Sequence, residues 1–292
     1  MRKSIIRIFG GAILAVLFTA LAGVSYGQTV VVSPGNMNGW SFAATDGNGN
    51  LAISSPYTGA IGQMVYGPAS PPLGVGSAEL ATAVGGGDGS VQIGTAAYNG
   101  LPLSSILQLS YSTYDTANNG SQFPYMQIAV SMDGSGSPAS EDILSFEPPY
   151  QTAPFTSPNP SNPGGLPDQG AETMNTWQTW NAQEGGWWDD YVFTPGAYES
   201  PSAPGVNSLA AYEAIYTNAT IMGSGYPGNS GIELMVGYAS SSDLFTGYVD
   251  YVTIGTPSGT TTFDFEPVPE PGTITLVGMG LLGMLAFCRR RK

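Results

Sequence analysis

Short runs of alternating apolar and polar residues fill the chain from about residue 28 onward. "PYMQIAVSM" sets Met126, Ile128, Val130 and Met132 on one face, and "SILQLSY" groups Leu107, Leu109 and Tyr111. "GIELMVGY" and "GYVDYVTIG" repeat the pattern. A period of two is that of a strand with one face buried. The runs are separated by "GNGN", "GGGDGS", "DGSGS" and "SGYPGNSG", which carry turn chemistry. One segment breaks the rhythm. "NSLAAYEAIY" places Leu209, Tyr212 and Tyr216 at helical spacing, with Asn207 or Ser208 positioned as its cap. Many strands, one short helix and Gly-rich turns predict an all-β, jelly-roll-like two-sheet sandwich. A stretch near 154–175, rich in Pro, Asn, Ser and Gly, reads as a long surface loop of that body, because strands of similar style flank it.

The ends are patterned differently. Arg2, Lys3 and Arg7 precede the apolar run "IFGGAILAVLFTALAGV", and Ser25 and Gly27 follow as small residues. This predicts a signal peptide over 1–27, cut after Gly27. A permanent anchor is the alternative, but the run falls short of the roughly 20 residues a span needs. At the other end, Gly272 to Cys288 is apolar, Gly-rich and uncharged, and Arg289, Arg290, Arg291 and Lys292 follow. The basic stop stays cytoplasmic under the positive-inside rule, which leaves the body, 28–267, outside the inner membrane. Pro269, Glu270 and Pro271 stand just before the span. Prolines on both sides of the glutamate keep the backbone extended.

That tail, 268–292, resembles the PEP-CTERM sorting signal of Gram-negative bacteria. The resemblance implies an exported protein, held briefly by a C-terminal transmembrane helix. An exosortase-type processing enzyme would then remove the span, and the body would pass to the cell surface or extracellular polysaccharide. An ordinary C-terminal anchor is the alternative reading.

Charge narrows the chemistry. All seven Lys and Arg lie in the two ends, there is no His, and the 21 acids fall between Asp46 and Glu270. A body without cations excludes nucleic acid and anionic lipid surfaces as partners. It could meet acidic polysaccharide only through neutral contacts or bridging metal ions. Ser-His triads, Schiff-base lysines and Arg phosphate clamps are also absent. The one cysteine, Cys288, sits in the tail span, so no intramolecular disulfide can form. It reads as a membrane filler, with lipidation as the alternative. Carboxylates remain, and glycoside hydrolysis is the common chemistry that runs on carboxylates alone.

Three constellations follow. Asp46, Asn48 and Asn50 alternate with glycines, a spacing that lets a loop curl round calcium. Leu51 stands where the full pattern wants glycine, and a β-turn is the competing reading. "DGSGS" from Asp133 is a weaker version and reads as a turn. Next, "WQTWNAQEGGWWDDY" holds Trp177, Trp180, Trp187 and Trp188 beside Glu184, Asp189 and Asp190. Aromatic faces with nearby carboxylates and amides suit neutral glycans. Odd spacing splits each tryptophan pair between opposite faces of a strand. At least half of the cluster is therefore expected in the core, with a sugar-facing subset remaining. Finally, Glu184 with Asp189 or Asp190, or Glu141 with Asp142 and Glu147, could supply a catalytic pair.

"GYVDYVTIGTPSGTTTFDFEP" resembles the closing strands of secreted jelly-roll modules related to galactose-binding and lectin-like sandwiches. Strict alternation puts Tyr248, Asp250, Val252 and Ile254 on one face. Asp250 in an apolar row needs hydrogen bonds or a cation. It would either tie strand to loop or serve as a ligand. The expectation as a whole is a non-enzymatic, exported body that binds neutral polysaccharide, with calcium as its one candidate cofactor. The alternatives are a structural matrix or adhesion protein without a sugar site, and a glycoside hydrolase.

Overall fold

The computed structural model describes residues 27–45, 60–82, 86–153, 165–189, 206–223 and 231–267. The signal-peptide segment up to residue 26, the sorting segment from 268 and the calcium candidates Asp46, Asn48 and Asn50 lie outside them. So do Asp190 and residues 154–164 of the expected long loop.

Period-two runs become strands and pair into two sheets. The first contains β1 (Gln28–Val32), β3 (Ile61–Tyr66), β4 (Gly76–Ala81), β6 (Gln108–Ala117), β9 (Gln178–Asn181), β14 (Thr246–Thr256) and β15 (Gly259–Phe265). The second contains β2 (Trp40–Thr45), β5 (Ser90–Thr95), β7 (Tyr125–Ser131), β8 (Glu141–Phe146), β10 (Gly186–Asp189), β11 (Asn207–Ser208), β12 (Thr220–Ile221) and β13 (Ile232–Gly237). All pairings are antiparallel except β1 with β15.

Facing apolar rows fill the space between the sheets. Met126, Ile128 and Val130 of β7 are buried in the core, but Tyr125, Gln127, Ala129 and Ser131 between them are buried too, so this strand is covered on both faces where its alternation predicts one. Trp40 of β2 meets Phe263 and Phe265 of β15 edge-on, with ring centroids 5.2 Å apart in both pairs. Tyr111 of β6 meets Phe146 of β8 at 5.9 Å, and Phe146 meets Trp187 of β10 at 5.5 Å. Such offset and edge contacts are favourable for aromatic pairs. Leu107 departs from the predicted row: it precedes β6 and is exposed, while Leu109 and Tyr111 are buried.

The first sheet forks along β14. One side of β14 pairs with β6 over most of its length. The other side is shared: Thr246–Val249 pairs with β4, and Val252–Thr256 pairs with β15. At the junction the β6 ladder slips between Asp250 and Thr253, and Tyr251 takes a left-handed backbone with φ of 56°. This irregularity corrects the strict alternation expected here. An extra residue in one strand switches the faces beyond it. Val249, Val252 and Ile254 therefore point into the core, and Asp250 leaves their row.

The helix is α1 (Leu209–Ile215), shorter than its sequence pattern and capped as predicted. Ser208 Oγ accepts from Ala211 N at 3.2 Å, and Leu209, Tyr212 and Tyr216 are buried. Replacing an N-cap serine by alanine removes a partner from an otherwise orphaned amide. Ser208→Ala is expected to lower stability by about 1 kcal/mol, measured by urea unfolding. An unchanged midpoint would contradict this role for the cap.

Residues 165–175 form no strand but are fastened. Leu166 is buried, Gln169 N donates to Gln151 O at 2.9 Å, and the Gln169 side chain accepts from Asn181 N at 2.7 Å.

Candidate functional site

The outer face of the first sheet carries polar and aromatic side chains in register. Leu80, Leu109, Tyr111 and Val249 point inward, so their neighbours along each strand point outward. Gln63 of β3 stands opposite Glu79 of β4, Glu79 opposite Tyr248 of β14, and Tyr248 opposite Tyr114 of β6. Trp177, just ahead of β9, closes the row. Cross-strand neighbours on one face lie close enough to interact, and here each touches the next. Gln63 Nε2 donates to Glu79 Oε2 at 2.8 Å, and the Tyr248 hydroxyl donates to Glu79 Oε1 at 3.2 Å. The Tyr114 ring lies 6.2 Å from Tyr248 and 5.5 Å from Trp177. With strands about 4.8 Å apart, a row crossing five of them spans roughly 19 Å.

Glu79, Tyr114, Trp177 and Tyr248 are half-buried and Gln63 is exposed. Burial first, then the charge and hydrogen bond of Glu79, raise the Tyr248 phenol above its ordinary value. Tyr248 therefore remains a neutral donor at physiological pH. The rings are tilted, by 53° between Tyr114 and Trp177 and by 78° between Tyr114 and Tyr248. The surface is corrugated and offers ring faces one at a time.

The loop 67–75 makes a wall beside this row. It leaves the β3–β4 edge and reaches Trp177, whose Nε1 donates to Pro68 O at 3.0 Å. Leu73 N donates to Asp250 Oδ2 at 3.1 Å. Val75 N and Gly76 N donate to Glu266 Oε1 at 2.6 and 3.2 Å. A Cβ on Gly76 would lie 2.8 Å from Phe265 O and 2.9 Å from Glu266 Oε2, so only glycine permits this approach. Asp250 also accepts from Phe265 N at 3.1 Å. It is fully buried and stitches the fork to the loop, the strand-tying role among the two expected for it. Burial raises its carboxyl to about 7; backbone hydrogen bonds oppose the rise, and the nearby charge of Asp264 adds to it.

The four clustered tryptophans separate by environment. Trp180 and Trp187 are core: their Nε1 atoms donate to Thr113 Oγ1 at 2.8 Å and to Ala182 O at 2.7 Å. Trp188 is half-buried on β10 of the second sheet. Only Trp177 joins the row. Tyr114, Glu79 and Gln63 were not singled out by the sequence, and Tyr248 was named only as a neighbour of Asp250 along its strand. Their alternation was visible, but their pairing across distant strands was not.

The carboxylates singled out for catalysis fall on or beside β8 and β10 and in the turn between β9 and β10. Glu184 is exposed and accepts from Asn181 Nδ2 at 3.0 Å. Asp189 is buried in β10. Glu141, Asp142 and Glu147 are buried, and Asp142 accepts from the Tyr216 hydroxyl at 3.3 Å. Asp133 caps its own turn: its Oδ1 accepts from Ser135 N at 2.9 Å and from Ser131 Oγ at 3.1 Å. Hydrogen bonds from Ser135 and Ser140 hold its carboxyl below the usual range. Among the described residues no group of three His, Cys, Asp or Glu side chains could hold a metal ion.

Fold and surface together define an all-β, two-sheet protein whose candidate site is an outer sheet face. Residues 267–292 match the PEP-CTERM protein-sorting motif. The chain is thus an exported protein, transiently membrane-anchored and sorted by exosortase. No curated protein and no solved structure matches the chain. Among the described residues no helix is long and apolar enough to cross a membrane.

Proposed function

We propose that the exported body is a non-catalytic glycan-binding module that works at the surface or in the extracellular matrix of a Gram-negative bacterium. The observation that carries this reading is the unbroken row from Gln63 through Glu79, Tyr248 and Tyr114 to Trp177. Ring faces take the apolar faces of sugar rings, and the amide, carboxylate and phenol bond hydroxyls. The body has no Lys, Arg or His, so a neutral polysaccharide fits better than an acidic one. Calcium at Asp46, Asn48 and Asn50 belongs to the same proposal as a support for the body.

The test is a glycan-array screen of the exported protein, with calcium and again with chelator. Binding to a neutral glycan is expected, and Trp177→Ala should weaken it on the order of tenfold or more, as truncation of a central aromatic does. A variant that binds as well as the natural protein would remove the row from consideration. Silence across all neutral glycans would leave the second reading, a structural matrix protein. That reading is favoured by the burial of Trp180 and Trp187.

A further inference from the structure

A second polar site lies at the end of the sandwich, where β14 turns into β15. There the turn residues Thr256 and Ser258, Thr260 and Thr261 of β15, Gln28 of β1 and Tyr98 from the segment after β5 line a half-open cleft of about 320 Å³ over Ile254. That volume falls at the lower end of small-ligand pockets. Among the described residues the lining side chains are uniformly polar and uncharged above Ile254: four hydroxyls, one amide and one phenol. Hydroxyls both donate and accept, so such a lining matches a ligand whose own groups do both. Among the described residues the lining carries no cation and no carboxylate, which favours a neutral ligand over an ion.

Tyr98 is the most informative member. Its phenol is raised to about 12 by burial alone, so it remains protonated at any physiological pH. No described residue hydrogen-bonds that hydroxyl, although Tyr98 is partly buried. Other lining groups position one another: Gln28 Nε2 donates to Thr261 Oγ1 at 3.2 Å, and the Thr256 and Ser258 hydroxyls lie 2.9 Å apart. The site thus brings together one tyrosine whose phenol stays protonated and a set of hydroxyls, some of them positioned by hydrogen bonds.

We propose that this cleft is a second saccharide site that takes a single neutral sugar unit, separate from the Trp177 row. The ligand class rests on the function proposed above; the site itself does not. Two sites on one body would let each molecule bridge two polysaccharide chains, with the avidity that linked sites confer.

The test is calorimetric titration of the solubilised full chain with glucose, galactose, mannose, N-acetylglucosamine, cellobiose and lactose. Four forms are compared: the natural chain, Trp177→Ala, Tyr98→Phe and the double variant. Tyr98→Phe keeps the ring and removes only the hydroxyl. The expected result is two classes of site. Trp177→Ala removes one, and Tyr98→Phe weakens the other roughly fivefold, the effect of one net hydrogen bond. Binding reduced by Tyr98→Phe but indifferent to Trp177→Ala would support the cleft and overturn the row. Binding abolished by Trp177→Ala alone and indifferent to Tyr98→Phe would overturn the cleft and keep the row. No binding by any of these sugars would overturn the cleft.

Discussion

Replacing Trp187 by alanine is expected to lower the unfolding free energy by about 3–5 kcal/mol, the cost of emptying a buried tryptophan site. The indole is fully buried, packs on Phe146 and donates its N–H to Ala182 O. Removing it leaves a cavity between the sheets and an unpaired carbonyl. Since a domain's whole stability is only about 5–15 kcal/mol, most of the margin disappears. Trp180→Ala should behave alike, because Trp180 is equally buried and bonded to Thr113. Trp177→Ala should cost only about 1 kcal/mol, the worth of one hydrogen bond. Urea unfolding followed by circular dichroism separates the three. Equal losses at Trp177 and Trp187 would contradict the division between surface row and core.

Acid should stabilise the protein relative to neutral pH. Asp115 and Asp250 are buried, and burial raises each to about 7. In the unfolded chain both would titrate near 4. Between about pH 4 and 7 the folded state therefore holds protons that the unfolded state has lost, and stability falls as pH rises. A tenfold difference in proton affinity between the two states corresponds to about 1.4 kcal/mol, so the two groups together contribute on the order of several kcal/mol. Burial also raises Glu172 and Glu213, and self-repulsion among acids without cations acts in the same direction. Asp133 opposes this only in stronger acid: its carboxyl is held low, so its contribution is lost as pH falls below about 4. Unfolding free energy measured from pH 4.5 to 8 should decline steadily. Asp250→Asn should flatten the slope, while lowering stability near pH 5 because one oxygen cannot serve both Phe265 N and Leu73 N. A stability that rises between pH 5 and 7 would refute the assignment.

What was legible in the sequence was local. Alternation in "PYMQIAVSM" and "GIELMVGY" located strands, the serine before "LAAYEAI" located a helix start, and odd spacing divided the tryptophans. Information about register was missing. The row depends on Glu79 meeting both Gln63 and Tyr248, and on Tyr248 meeting Tyr114. Nothing in any one strand encodes those meetings. The irregularity at Asp250 was hidden for a related reason. An extra residue in a strand leaves the composition unchanged and shifts only which face follows. Leu107 shows the same limit at an element boundary, where periodicity runs on paper before the strand has begun.

The direction of β15 has a consequence for the room left to the sorting enzyme. Its last residues are clamped: Glu266 N donates to Val32 O at 2.8 Å, and its carboxylate holds Val75 and Gly76. Pro269 follows only three residues later, a leash of at most about 10 Å when fully extended. The sorting enzyme must therefore reach its motif within about that distance of the folded body. The folded end nearest that motif bears Val32 and the 67–75 loop, and the β14–β15 turn lies at the other end of β15, roughly 24 Å away along seven residues.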